Sequence, residues 1–400
     1  MHNIRQMINN LYWVGVNDRK TSLFENIHPI PEGISYNSYL LMDEKTVLLD
    51  TVDSSVCNNF IDNVKYVLGE RDLDYLIINH MEPDHAACIG LIESLYPNVK
   101  VIGNKKTFEL MAKFGFEVKE NSIEVKDGDT ISFGQHEFTF ILAPMVHWPE
   151  TMASFDKTTG VLFSADAFGT FGALNGRLFN DEVDFEREFL LPARRYYTNI
   201  VGKYGPQVQS LLKKAHGHDI KWIAPLHGPV WRSNLDYFIE KYDKWSLYEP
   251  EEKGVLIVYG SMYGNTELAA EDLARRLVEK GMTNISMYDA SRTHVSYLIA
   301  DAFKYSHIVL ASSTYNLNIY TPIQNFILDM KAVNLKKRTI GLIENGSWAP
   351  MAKKLMRELL GTMKEMNILD NDILITSSMK DENIEEMEAM AEAIIQSMDK

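Results

Sequence analysis

Cysteine is nearly absent: Cys57 and Cys88 are the only two in 400 residues. Two cysteines exclude any chain-encoded four-thiolate metal centre, such as a rubredoxin module. They form no CxxC and no disulfide framework, and unpaired thiols fit a reducing, cytoplasmic setting. Positive charge is also short. Forty Lys and Arg stand against 55 Asp and Glu, a net charge of −15. That balance argues against a reader of phosphate backbones and excludes nucleic acid as an expected partner. No run of ~18 apolar residues occurs, so no membrane span is expected. The N-terminal MHNIRQMINNLYWVG lacks the basic start, apolar core and small-residue cleavage site of a secretory signal. What is abundant is apolar: 46% of residues are hydrophobic and 24% charged, enough to build large cores. The length implies two or three domains.

The chain changes texture near its middle. Residues 1–250 hold many short β-type runs, among them LYWVGV, SYLLM, LDYLIIN, EFTFILA, GVLFSA and IKWIAPL. Helix candidates lie between them at Ser55–Leu68, Ala86–Leu95 and Thr107–Phe114. A polar, Pro-containing stretch around 245–253 reads as a linker. Residues 251–400 then alternate strictly between apolar strands and amphipathic helices, beginning GVLIVYG and TELAAEDLARRLVEKG. Continuous apolar strands separated by helices predict a doubly wound parallel sheet covered on both faces.

Chemistry-bearing residues sit where apolar strands end. LDYLIIN runs into His80-Met-Glu82-Pro-Asp84-His85, four ligand types in six residues. Three further strands run into His147, Asp166 and His227. An isolated His or Asp at such a position is ordinarily a turn or capping residue. The hexad is different, because acidic and imidazole ligands cluster directly after a buried strand. Seven ligands exceed one tetrahedral zinc and imply a metal pair, with Asp166 as the bridging carboxylate. Imidazole and carboxylate without thiolate suit iron, manganese or zinc, and three carboxylates favour a redox-active iron pair. His216-Gly-His218 has tempting spacing, but it reads as a helix C-terminus. His28, in FENIHPIPEG, is expected to stay away from the site.

In the second half, GVLIVYG leads into Ser261-Met262-Tyr263-Gly264-Asn265-Thr266 and then a helix. A Gly-containing turn at a helix N-terminus offers backbone N–H groups to an anion. There is no P-loop Lys and no GxGxxG, which disfavours a triphosphate or a dinucleotide and leaves a mononucleotide. Two later strand ends, Ser313-Thr314-Tyr315-Asn316 and Asn345-Gly346-Ser347-Trp348, fall where doubly wound sheets bind ligands. Tyr315 and Trp348 are candidates to flank a planar ring.

The HxExDH hexad resembles the metal motif of the metallo-β-lactamase superfamily, with Glu82 where the zinc hydrolases have His. With His147, Asp166 and His227 downstream, and with Gly33-Ile-Ser-Tyr-Asn-Ser-Tyr39 similar to an N-terminal hairpin, it resembles the flavodiiron proteins. The hydroxyl-rich loop at Ser261 and the NGSWAP segment are similar to flavodoxin and flavodiiron flavin loops that bind FMN. The resemblance spans essentially the whole chain. It implies a metallo-β-lactamase-like αββα sandwich over 1–250 followed by a flavodoxin-like doubly wound sheet over 251–400.

It further implies reduction of dioxygen to water, of nitric oxide to nitrous oxide, or both. His80, Glu82 and His147 would hold one iron, Asp84, His85 and His227 the other, with Tyr197 as a proton or hydrogen-bond donor over them. An external donor such as rubredoxin or a reduced deazaflavin coenzyme would deliver electrons through FMN. The implied assembly is a head-to-tail homodimer or a dimer of dimers. The family often has a histidine where this chain reads Leu-Phe-Glu25, so the lining of the pocket departs from the pattern. The competing readings are a zinc hydrolase with a regulatory flavodoxin domain, and a non-catalytic electron carrier.

Overall fold

A computed structural model describes residues 2–398. The contacts divide the chain into two compact units, one running to Asp243 and the other from Lys244. The division falls inside the helix Leu235–Ser246, a few residues before the polar stretch read as a linker.

The first unit is a sandwich of two sheets. One has seven strands and its centre is Tyr39–Met42, Thr46–Leu49, Tyr75–Ile77 and Lys100–Gly103. The other has five, Thr130–Ser132 through Trp222–Ala224. Alternate residues of each strand point to opposite faces. Tyr39, Leu41, Val47, Leu49, Ile77 and Ile102 therefore meet Phe133, Phe138, Phe140, Met152 and Phe163 in one core between the sheets. Leu40, Leu48, Leu76 and Val101 are buried outside that cluster. Both faces of these short strands are buried, which explains their unbroken apolar runs.

The register sets the site. Val161–Phe163 pairs in parallel with Trp222–Ala224, and Glu137–Leu142 lies two antiparallel steps away from them. All three strands thus end on one edge of their sheet. Tyr75–Ile77, parallel to Thr46–Leu49 and Lys100–Gly103, supplies the fourth end.

Two local expectations are corrected. The helix expected over Ala86–Leu95 is broken into Pro83–Ala86 and Ile89–Leu95. The break is held by Thr51, whose N–H and hydroxyl both donate to the His85 carbonyl at 2.8 and 2.7 Å. Cys57 and Cys88, read as unpaired, form a disulfide, with their Cα atoms 6.1 Å apart. The broken helix carries Cys88 to the start of the helix Cys57–Leu68, a packing that no local spacing announces. With the two paired, cysteine content no longer argues for a compartment. Among the described residues, no helix is long and apolar enough to cross a membrane.

The second unit is a parallel sheet in the order Ile285–Asp289, Glu252–Gly260, Tyr305–Tyr315, Arg338–Asn345, the last paired with both Met366–Ile368 and Ile373–Ile375. One face packs Val255, Ile257, Val309 and Ile343 under the helices Asn265–Glu279 and Asp381–Met398. Leu256, Val258, Ile308, Leu310 and Leu342 are equally buried on the other. The carboxyl ends of the three central strands are the loops singled out in the sequence.

Candidate metal centre and flavin cleft

Seven side chains meet at the sandwich edge in two groups, His80, Glu82, His147 and Asp166, and Asp84, His85 and His227. In the first, Glu82 Oε2 lies 3.0 Å from His147 Nε2 and 3.2 Å from His80 Nε2. In the second, His85 Nε2 faces His227 Nε2 at 3.0 Å, and Asp84 Oδ2 lies 3.3 and 3.2 Å from those atoms. Asp166 joins the groups. Its Oδ2 is 3.2 Å from His147 and 3.3 Å from His80, while its Oδ1 is 3.2 Å from His85.

The imidazoles are oriented from behind. His80 Nδ1–H donates to Glu150 Oε1 and His227 Nδ1–H to the Ser35 carbonyl, each at 2.8 Å. Both rings therefore present Nε2 lone pairs inward, the tautomer a metal requires. Buried Asp50 fixes the strand end, accepting from the N–H groups of Asn79 and His80 and from the Asn79 amide. Burial pushes its carboxyl up to about 6 against those hydrogen bonds. Gly228 follows His227 at φ +80°, and a Cβ there would fall 1.9 Å from Thr170 Cγ2, so only glycine fits.

This donor set suits cations. Both Asp84 oxygens, and Oδ1 of Asp166, are buried without a hydrogen bond. Unpaired buried carboxylate oxygens are costly unless a positive charge satisfies them. Burial lowers His227, consistent with a neutral ligand. Burial, reinforced by Glu82 and Asp166 and opposed by His85, pushes Asp84 up to about 7. Burial also raises Asp166, but His85 and His80 override it and hold the bridging carboxyl far below the usual range. Two cations sharing Asp166 would satisfy all seven side chains, and ligation by four imidazoles and three carboxylates without thiolate fits iron.

Tyr196 also lies against this cluster. Its ring lies 5.4 Å from that of His227, and its hydroxyl is buried without a hydrogen-bond partner. Tyr197 packs on Tyr242 at 4.9 Å. His28 is not among the grouped ligands; its Nε2 lies 3.9 Å from Glu25 Oε2. His218 packs on Phe155 instead. Glu150, Ser35, Asp50 and Tyr196 were missed, because nothing in their local sequence distinguishes them.

In the second unit the expected loops meet around a cavity of about 410 Å³. All the expected residues except Gly264 line it, joined by Leu317 and Ser377. Gly264 instead makes the turn into the helix Asn265–Glu279, at φ +91°. Ser261 Oγ accepts from the Gly264 N–H at 3.0 Å, and Thr266 Oγ1 meets Ser313 Oγ at 2.9 Å. Hydroxyls and first-turn N–H groups on one side suit a phosphate. Trp348 and Tyr315, 74% and 44% exposed, line it as ring surfaces suited to a planar heterocycle, and Tyr263 stands at the rim.

Comparison with known proteins agrees with both halves. The ODP family of beta lactamases matches residues 34–228, and the flavodoxin family matches residues 257–384. An uncharacterized protein of Methanocaldococcus jannaschii is 30% identical over 95% of each chain. The anaerobic nitric oxide reductase flavorubredoxin of Vibrio vulnificus is 31% identical over 85% of this chain and 69% of its own. Among solved structures, rubredoxin oxygen:oxidoreductase from Desulfovibrio gigas superposes with a TM-score of 0.93 at 25% identity, covering 99% of this chain and 98% of that one. A sandwich edge with two ligand groups, a flavodoxin half with its loops in place, and relatives that share both show that this chain belongs to the flavodiiron protein family.

Proposed function

We propose that this protein reduces dioxygen to water, nitric oxide to nitrous oxide, or both, with electrons from an external donor passing through FMN to a diiron centre. The observation that carries the reading is Asp166, whose two oxygens face two different ligand groups at 3.2–3.3 Å. A relative is named for each gas, which supports both substrates. FMN and iron are the cofactors, and when bound they supply the reducing equivalents, four electrons for dioxygen or two for a pair of nitric oxides.

The chain's residues do the rest. His80, Glu82 and His147 would hold one iron and Asp84, His85 and His227 the other, with Asp166 shared between the two groups. Glu150 and Ser35 fix the imidazole tautomers. Tyr196, its ring 5.4 Å from that of His227 and its hydroxyl buried, stands beside the site. Tyr197, or its neighbour Tyr196, is the proton or hydrogen-bond donor in this reading. The cleft residues Ser261, Thr266 and Ser313 would take the flavin phosphate, and Trp348 and Tyr315 the ring. Rubredoxin or a reduced deazaflavin coenzyme is the donor class, and a head-to-tail homodimer the assembly.

A hydrolase has no use for the flavodoxin half, and Glu82 replaces a zinc-site histidine. The test is Asp166→Ala followed by anaerobic stopped-flow with each gas. FMN reduction by the donor should persist while gas consumption is lost. Gas turnover by the variant at the wild-type rate, or zinc with hydrolytic turnover in the native protein, would defeat the proposal.

A further inference from the structure

Two segments are tied together behind the second ligand group. Residues 51–57 run from a strand end into the helix Cys57–Leu68. Residues 85–88 form the break between the two short helices that follow the hexad's start. The Thr51 N–H and hydroxyl donate to the His85 carbonyl at 2.8 and 2.7 Å, and the Cys88 N–H donates to Thr51 Oγ1 at 3.3 Å. The Cys57–Cys88 disulfide is the covalent tie. It joins positions 31 apart and so encloses the whole hexad in one loop. The same region walls a cavity of about 530 Å³, with Asp53 and Ser55 from the first segment and Glu82 and Asp84 from the hexad.

The two sulfurs stand in different surroundings. Cys57 is half-buried and opens a helix of 12 residues, whereas Cys88 is fully buried. A thiolate at a helix N-terminus is stabilised by the dipole, which favours the reduced pair. Cys88 Sγ lies 3.4 Å from the Val52 carbonyl oxygen, an acceptor for its S–H once the bond opens. The opened pair therefore leaves one sulfur near solvent and the other with a partner in place.

We propose that Cys57–Cys88 is a reversible dithiol–disulfide switch that sets how tightly the turn carrying Asp84 and His85 is held. A reductant of the dithiol class opens it. Its thiolate attacks Cys57 Sγ, the sulfur nearer solvent, and the bond to Cys88 breaks. Cys88 leaves as a thiolate and takes up a proton beside Val52. The donor's second thiol then displaces Cys57 and departs as the oxidised disulfide. Net, two electrons and two protons pass from the donor to the protein. The turn then keeps its hydrogen bonds to Thr51 but loses its covalent anchor, and the group of Asp84, His85 and His227 loosens. The effect on metals rests on the diiron reading; the switch itself does not.

The full chain, equilibrated with oxidised and reduced dithiothreitol, tests this. Two thiols should appear together in the folded protein. In metal-free protein, reduction should speed hydrogen exchange of the peptide covering residues 83–89 about tenfold. With the reductant removed, competition against a chelating dye should show about tenfold weaker binding at one of two metal positions. Cys57→Ser should match the reduced wild type in exchange and binding, and should not respond to the reductant. Thiols that appear only on unfolding would overturn the proposal, as would equal exchange in the two states. Faster exchange with unaltered affinity at both positions would overturn the coupling to the ligands. An oxidised protein that holds fewer than two metals would instead overturn the diiron reading, while exchange still decides the switch.

Discussion

Replacing Glu150 by Gln separates metal affinity from packing at the first iron position. Glu150 is 1% exposed, and its Oε1 accepts from both His80 Nδ1–H and the Met81 N–H at 2.8 Å. Gln retains a carbonyl for those two donors. Its NH2 group, however, takes the place of Oε2, which is buried and has no hydrogen-bond partner. A buried amide without an acceptor costs about 1–3 kcal/mol of fold stability. Removing the charge behind His80 also weakens the ring as a ligand, an effect typically worth about 10–100-fold in metal affinity. At ~1.4 kcal/mol per decade that is about 1.4–2.8 kcal/mol. The loss should fall on the position of His80, Glu82 and His147 and spare the other. Competition of metal-free protein against a chelating dye should show two similar affinities in the wild type and one weakened in the variant. If the variant melts lower by the expected amount yet binds both metals as the wild type does, Glu150 only packs, and the orienting argument is refuted.

Thr266→Ala should weaken FMN binding about tenfold, since it removes a buried hydroxyl from the first helical turn of the cleft. Flavin fluorescence titrated with apoprotein reads this directly, and an unaltered Kd would reject the loop as the phosphate cradle. His307 tests the pH behaviour of the flavodoxin unit. Burial, with a smaller effect of Lys253, lowers it to about 4, and its ring meets Ser306 Oγ at 2.8 Å and Ser397 Oγ at 2.9 Å. The unfolded chain takes up that proton near 6.5 while the fold does not, so stability present above 6.5 is lost as pH falls towards 4. The full loss is about 3 kcal/mol. In calorimetry between pH 7.5 and 5, His307→Gln should flatten the fall in Tm of that unit; parallel slopes would show that His307 does not drive it.

The fold was legible where burial on both faces forced continuous apolar strands, as in Glu252–Gly260 and Tyr305–Tyr315. The hexad was legible because ligand types sit side by side in one turn. His147, Asp166 and His227 were legible only as residues ending apolar strands. Their convergence depends on three strands of one sheet running in the same direction. Glu150 reaches His80 across 70 residues and Ser35 reaches His227 across 192, distances over which sequence carries no pattern. A π-helical segment begins at Tyr197, and no sequence pattern announces that change of helical phase. Ser377 reached the flavin cleft from a strand of three residues, too short to announce the loop after it.

Asn104 carries a consequence for how this sequence can drift. It caps the helix Lys105–Lys113 by accepting from the N–H groups of Lys106 and Thr107. Its amide also donates to the backbone carbonyl of Glu150 at 2.5 Å. One side chain thus serves a surface helix and, through Glu150, the orientation of a metal-ligating histidine. Substitution there lowers helix stability and ligand alignment together, with a cap alone worth about 1 kcal/mol. Compensating elsewhere for the lost cap would rescue the fold but not the alignment. Only changes at 104 that preserve both contacts are neutral, so a position outside the metal centre evolves under the centre's constraint.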